Sequence, residues 1–224
     1  MKRERITAFR STPLRKNNTG ELFIKIDPED YHSVFLINGN QFITKNISES
    51  DFIIEPNSYY MIINNDDNVL NIQYSNNISQ NRVIYNPYKY EFSERVNLEE
   101  KYFKTRYKIP NGYIDVLPKW YSFKFSYPNY NLIFLQSEFG LSIQIHKHRE
   151  EYWEILKGKP IIINGDKVHY YVEKGEKFKN PVNVYHSVIN PHKNRDHYVL
   201  IRESWKGKFN EFDIERVFNP NNYK

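Results

Sequence analysis

The sequence predicts an all-β protein of barrel or sandwich type, and three observations point there. Short segments rich in Ile, Val, Phe and Tyr recur along the chain. Turn signals such as Asn38-Gly39, Asn164-Gly165 and Lys174-Gly175 separate them. Aromatic residues make up 17% of the chain, with 19 Tyr and 15 Phe, which favour strands and bury much area each.

In order, strands are expected at 21–26, 33–37, 41–44, 59–63 and 69–74, then at 122–125, 131–136, 141–146, 152–156, 160–163, 167–172, 184–189 and 198–202. Many short strands at regular spacing read as a sandwich or barrel. Between the two groups, 81–110 is polar, carries Pro87 and loses this rhythm. One short helix is expected from Asn97, because Asn97 and Glu100 have capping-box spacing. The 224 residues permit two domains, placed at 1–110 and 111–224.

Composition narrows the function. The absence of Cys removes disulfides, thiolate metal ligands and a Cys nucleophile, and fits a reducing compartment. The charged start and the lack of a long apolar run suggest no signal peptide and no membrane span, hence a cytoplasmic protein. The net charge of +5 suits an anionic small substrate. Six basic residues lie in 1–16, but without a basic helix or zinc-finger spacing they read as a solvated tail rather than a nucleic-acid site.

Six of the seven histidines follow residue 145. Strand alternation would set Gln144, His146 and His148 on one face, with Glu151 just beyond and His186 on a later strand. Imidazoles and a carboxylate suit Zn, Mn, Fe, Ni or Co, Zn being the first choice. His169, His192 and His197 receive no site role.

The spacing Gly140-(5)-His146-(1)-His148-(2)-Glu151-(6)-Gly158 resembles the first cupin motif. Gly175-(5)-Pro181-(1)-Asn183-(2)-His186-(3)-Asn190 resembles the second, with Asn183 in place of Gly. Asn tolerates positive φ, so the exchange is mild. The run from Leu141 to Trp153 resembles the Leu-Ser-Leu-Gln-x-His-x-His-Arg-x-Glu-x-Trp signature of type II mannose-6-phosphate isomerases. The tail, from Ile201-Arg202-Glu203 and Gly207 to Glu211-Phe212-Asp213-Ile214-Glu215-Arg216, is similar to that family's Ile-Glu-Val-Gln-x-Gly…Glu-Asp-Asp-Ile-Val-Arg ending. Trp120 falls near the family's Pro-Trp-Gly, and the resemblance runs to Tyr223. Arg202 stands where Glu is expected, and Phe212 replaces Asp.

The resemblance implies a cupin barrel, a double-stranded β-helix or jelly roll. Asp51 to Met61 looks like a worn copy of the second motif with Met61 at the His position, which implies a bicupin whose N-terminal copy holds no metal. It further implies aldose–ketose isomerisation of mannose 6-phosphate and fructose 6-phosphate, supplying glycan or nucleotide-sugar synthesis. The implied metal ligands are His146, His148, Glu151 and His186, with Gln144 able to replace one. His148, Glu151 and Arg216 are the catalytic candidates. Gln144, Arg149, Lys179, Arg202 and Arg216 are the substrate-binding candidates, Arg suiting phosphate. Tyr152, Trp153 and Tyr185 could pack sugar faces, Trp153 being rather a core residue. A homodimer through strand edges is also expected. One fold hosts many chemistries, so another cupin isomerase, epimerase or oxygenase, or a non-catalytic sugar-binding bicupin, stays open.

Overall fold

The apolar run Val34–Asn38 needs partners on both edges, and finds them in Gln41–Ile43 and Tyr59–Asn64. The same requirement, met along the chain, yields three sheets in a computed structural model that describes residues 2–208, 210 and 212–221. Glu211 and Tyr223 of the tail comparison lie outside the described residues.

The largest sheet has ten strands and runs through both halves. Its order is Glu215–Phe218, Ile143–Ile145, His186–Ile189, Ile161–Asn164 and Lys167–His169, then Gln41–Ile43, Val34–Asn38, Tyr59–Asn64, Leu14–Lys16 and Arg82–Tyr85. The halves meet at the pair Lys167↔Gln41, flanked by Phe42 N–H to the Asp166 carbonyl and Val168 N–H to the Asn40 carbonyl, each 2.8 Å. A four-stranded sheet (Lys2–Ile6, Leu70–Tyr74, Leu22–Lys25, Ile53–Ile54) covers the first half. A six-stranded sheet covers the second, in the order Asp115–Pro118, Ser122–Ser126, Asn131–Leu135, Val199–Gly207, Arg149–Lys157 and Lys177–Asn180.

Alternation then sorts the side chains into separate cores. In the first half Leu36, Tyr60 and Ile62 face inward with Leu22, Ile24 and Tyr74. In the second, Ile162 and Val188 face inward with Trp153, Ile155 and Ile201. The opposite faces of the same ten-stranded sheet meet each other: Phe35, Ile37, Met61 and Ile63 pack with Ile161, Ile163 and Ile189. Met61 therefore does not occupy a position equivalent to His186. It points to the seam between the halves, and Tyr60 and Ile62 face the barrel interior.

The helix is Glu100–Arg106, with Glu99 rather than Asn97 at its N-cap and no side-chain capping bond. Its anchor is packing. Phe103 is fully buried against Phe123 and Phe134, ring centroids 4.8 Å away in each case, on the outer face of the six-stranded sheet.

Several strands are absent from the sequence-based expectation. Lys2–Ile6 reads as a basic tail because only Ile6 is buried, yet it pairs along Leu70–Tyr74. Arg82–Tyr85 closes the ten-stranded sheet inside the segment expected to be a linker. Two of the N-terminal cations have internal partners: Arg10 holds Glu91 at 2.7 Å, and Arg15 lies 3.5 Å from Glu4. Among the described residues no helix is long and apolar enough to cross a membrane.

Candidate metal centre

Glu151 and Trp153 point inward from Arg149–Lys157, and His186 points inward from the facing sheet. The strand Ile143–Ile145 ends just before His146, and the chain bends at residues 147 and 148. That bend decides the ligand set. His146 is buried at 1% exposure, whereas His148 is exposed. Alternation would hold only if the strand continued, so His148 is not brought into the cluster, as metal ligand or as catalytic group.

The tail builds the bend. Asp213 accepts the backbone N–H groups of Lys147 and His148 at 2.9 and 3.1 Å, and its carbonyl receives His146 Nδ1. Asn183, at φ +60°, donates its N–H to the His146 carbonyl at 2.8 Å. Gly207 pairs with Arg149 so closely that a Cβ there would lie 2.6 Å from the His148 carbonyl oxygen. The tail segment and both motifs thus hold one loop in place.

With its Nδ1 engaged by a carbonyl, His146 directs Nε2 at Glu151 Oε1, 3.0 Å away. His186 repeats the arrangement: Nδ1 meets the Val184 carbonyl at 2.9 Å, and Nε2 lies 3.5 Å from Glu151 Oε2. His186 Nε2 is buried and makes no hydrogen bond. The three ligand atoms lie within 4.8 Å of one another. Donors around one ion at about 2.0–2.2 Å stand roughly 3–3.5 Å apart, as each imidazole Nε2 stands from its Glu151 oxygen, at 3.0 and 3.5 Å. Two nitrogens with their other ring atoms tied to carbonyls, facing a carboxylate, call for positive charge between them.

The electrostatics agree. Burial alone would raise the Glu151 carboxyl, but the His146 and His186 imidazoles hold it well below the usual range. Burial alone would lower His146, and Glu151 outweighs it, so the imidazole holds its proton more firmly than usual. Trp153 Nε1–H adds a bond to Glu151 Oε2 at 3.2 Å.

Arg149 is buried against the cluster and also lines the cavity beside it. Its guanidinium donates to Glu151 Oε1 at 2.9 Å and to the carbonyls of Asn210 and Asp213 at 2.8 and 3.1 Å. It also approaches His146 Nε2, at 3.3 Å.

Beside the cluster lies a cavity of about 100 Å³ lined by Gln144, Glu151, Glu203, Lys124, Lys119 and Arg216. Gln144 sits next to His186 in the sheet, its Oε1 accepting from Ser142 at 2.9 Å. Arg216 pairs with Gln144 in register and is exposed at the mouth. Lys179 and Arg202 are elsewhere. Both lie on the outer face of the six-stranded sheet, Lys179 3.2 Å from Glu150 and Arg202 over the Tyr130 ring. Tyr152 is also on that outer face, and Tyr185 packs at the seam against Phe35.

Sequence reasoning passed over Glu203. It is 7% exposed and accepts from Asn131 Nδ2 at 2.8 Å. Burial, with Glu151's charge added, raises its carboxyl to about 7. The signal was legible: Val199, Ile201 and Glu203 alternate, so a carboxylate stands at an inward position. Counting back from Gly207 also sets Glu203, not Arg202, at the Glu of the Ile-Glu-Val-Gln-x-Gly pattern.

The model of a family described as Mannose-6-phosphate isomerase C-terminal matches residues 97–219, more than half of the 224-residue chain. The chain belongs to this family. The family segment takes in the helix as well as the second barrel. No curated protein matches the chain. Solved structures are similar at low identity. A sugar phosphate isomerase of the cupin superfamily from Silicibacter pomeroyi is 13% identical over 39% of this chain and 60% of its own, with a TM-score of 0.33. The capsular polysaccharide assembling protein CapF of Staphylococcus aureus is 15% identical over 58% of this chain and 33% of its own, with a TM-score of 0.36. A salicylate 1,2-dioxygenase from Pseudaminobacter salicylatoxidans is 10% identical over 90% and 69%, with a TM-score of 0.31. The chain thus spans less than two thirds of the first two. The family match agrees with the all-β architecture, and the buried His146-Glu151-His186 group could hold a metal.

Proposed function

We propose that the second barrel interconverts mannose 6-phosphate and fructose 6-phosphate, with one divalent ion, Zn by first choice, held by His146, Glu151 and His186. The observation that supports this reading best is the buried, unbonded His186 Nε2 facing Glu151. Gln144 is placed to complete the ligand set or to hold a sugar hydroxyl. A bound ion would polarise the substrate carbonyl and lower the cost of charge on its oxygens.

The chain's own groups carry the protons. Isomerisation moves one proton from C2 to C1 and another from O2 to O1. Glu203, in its ionised form, is the base we assign to C2: the C2–H bond breaks, a carboxyl O–H forms, and an enediolate results, whose O1 takes up the proton that O2 gives up. The same carboxyl then returns the proton to C1. Its raised pKa suits both roles near neutral pH. Lys124, in the same cavity, is placed to steady the oxygens. The cavity is smaller than the ~300–1,000 Å³ of ordinary ligand sites, so it takes the reacting end of the sugar. The phosphate then lies at the mouth, where Arg216 and Lys119 are found.

The test is a coupled assay of metal-reconstituted protein, run beside His186→Ala and Glu203→Gln. We expect turnover to vanish in His186→Ala together with stoichiometric metal. In Glu203→Gln the metal stays and turnover falls about 10²–10⁴-fold, the usual worth of a positioned acid–base group. An inactive parent that holds its metal would overturn the reaction and leave the centre standing, and epimerisation of other sugar phosphates would be assayed next.

A further inference from the structure

A second cavity lies away from the metal cluster. It is a cleft of about 590 Å³ at the other end of the second barrel. Glu151 and Lys157 lie six residues apart on the strand Arg149–Lys157, and six steps of about 3.3 Å put the cleft roughly 20 Å from the metal cluster. Its walls come from both halves: Arg82, Val83 and Ile84 of the first, and residues 157–159, Tyr171 and parts of 190–198 of the second. Its volume lies within the ~300–1,000 Å³ of small-molecule sites.

Two features specify an occupant. The lining carries Arg82, Lys157, Lys159 and Lys193 and no carboxylate. Lys159 pairs with Glu173 at 2.6 Å, at the exposed rim, and Lys157 lies over the Tyr107 ring at 4.7 Å. A concave wall of one charge sign concentrates anions. Between the cations the surface is apolar, formed by Val83, Ile84, Pro191 and Tyr198. Val83 is 41% exposed here, on an edge strand whose next two residues are buried.

The third feature is a backbone outlier. Tyr171 stands at φ +55° and is 40% exposed, with its side chain on the cleft wall. A bulky residue in the left-handed region carries a cost that surrounding structure must sustain. Tyr170 provides the anchor: its ring stacks on Tyr59 at 3.9 Å and its hydroxyl donates to the Gly39 carbonyl at 2.7 Å. The opposite rim is also built. Buried Asn190 donates to the His197 carbonyl at 2.8 Å and accepts the His192 N–H at 3.2 Å, and the two imidazoles approach to 2.7 Å.

We infer that this cleft binds a small organic anion with a flat apolar body, such as an aromatic carboxylate, sulfonate or phosphate ester. The anionic group meets Lys157, Lys193 and Arg82, and the ring lies between Val83, Tyr171 and Tyr198. An occupant would touch both barrels at once.

The experiment is a fluorescence titration of the full chain with 8-anilinonaphthalene-1-sulfonate, beside the neutral N-phenyl-1-naphthylamine. Saturable single-site binding is expected, with the neutral probe about tenfold weaker or more. Val83→Glu and Lys157→Glu should each weaken the anion by about tenfold at unchanged melting temperature, and His186→Ala should leave it unaltered. Equal binding of the neutral probe would overturn the anion assignment. Indifference to both cleft substitutions would place the probe elsewhere. Tighter capture of polyglutamate than of the dye would reassign the cleft to a macromolecular partner. If both variants lose stability, Tyr171→Gly, which relieves the left-handed strain, keeps the test open: it must weaken the dye while the fold gains stability.

Discussion

The two halves both bury polar groups, and they finish them differently. In the first, the Tyr74 hydroxyl donates to Glu4 at 2.8 Å, Arg15 stands 3.5 Å from the same carboxylate, and Asn81 donates to the Tyr60 hydroxyl at 2.8 Å. In the second, His146, Glu151, His186 and Arg149 form the network. Among the described residues, the buried side-chain nitrogens and oxygens left without a hydrogen bond are Ser137 Oγ, Asn180 Nδ2, His186 Nε2 and Asn221 Oδ1, all in the second half. A buried imidazole nitrogen that faces a carboxylate without a hydrogen bond invites a ligand.

The strongest way to break this comparison is to remove the central carboxylate from each network. Glu151→Ala takes from Arg149 its closest buried counter-charge and leaves Asp213 at 3.5 Å. We expect a loss of about 3 kcal/mol, the low end for breaking a buried pair, with metal binding abolished. Glu4→Ala removes a partly exposed partner and should cost about 1 kcal/mol or less. Chemical denaturation of both variants would check the contrast, and equal losses would erase it.

Acidity offers a finer test. In the folded protein Glu203 holds its proton up to about pH 7 instead of the ordinary 4.5. The folded state therefore binds more protons between those values, and stability falls as pH rises through that window, by about 3 kcal/mol when complete. His146, also raised, acts in the same direction, its share lost as pH climbs past the ordinary 6.5. Glu151 acts oppositely, its contribution lost only in acid below the usual carboxylate range. Melting curves of metal-free protein from pH 5 to 8 should slope downward, and Glu203→Gln should flatten them. Parallel curves would mean that Glu203 ionises freely.

The smallest effect belongs to the outer face. Lys179→Ala and Arg202→Ala should each leave turnover within about twofold and stability within ~0.5 kcal/mol. A large loss of turnover would place substrate on that face.

These residues also show what was legible beforehand. The strands came through because apolar alternation and Asn-Gly turns are local signals, and the two motifs located His146, Glu151 and His186. Parity could have excluded Lys179, which pairs with outward Tyr152, and Arg202, which flanks inward Ile201 and Glu203. Parity misled at His148, because a strand end is set by tertiary contacts: Asp213 bends the chain from 65 residues away. Met61 failed for a related reason. Matching its step from a proline says nothing about which face of a shared sheet it meets.

The seam at Lys167↔Gln41 has one more consequence, for which part of the chain can stand alone. Cut there, each barrel would bare a strand edge with unpaired N–H and C=O groups, backed by an apolar face: Phe35, Ile37 and Ile63 on one side, Ile161, Ile163 and Ile189 on the other. Such an edge templates aggregation. The 97–219 segment that matches the family therefore shares its sheet and its apolar seam with the first half, and separating the two would bare both faces.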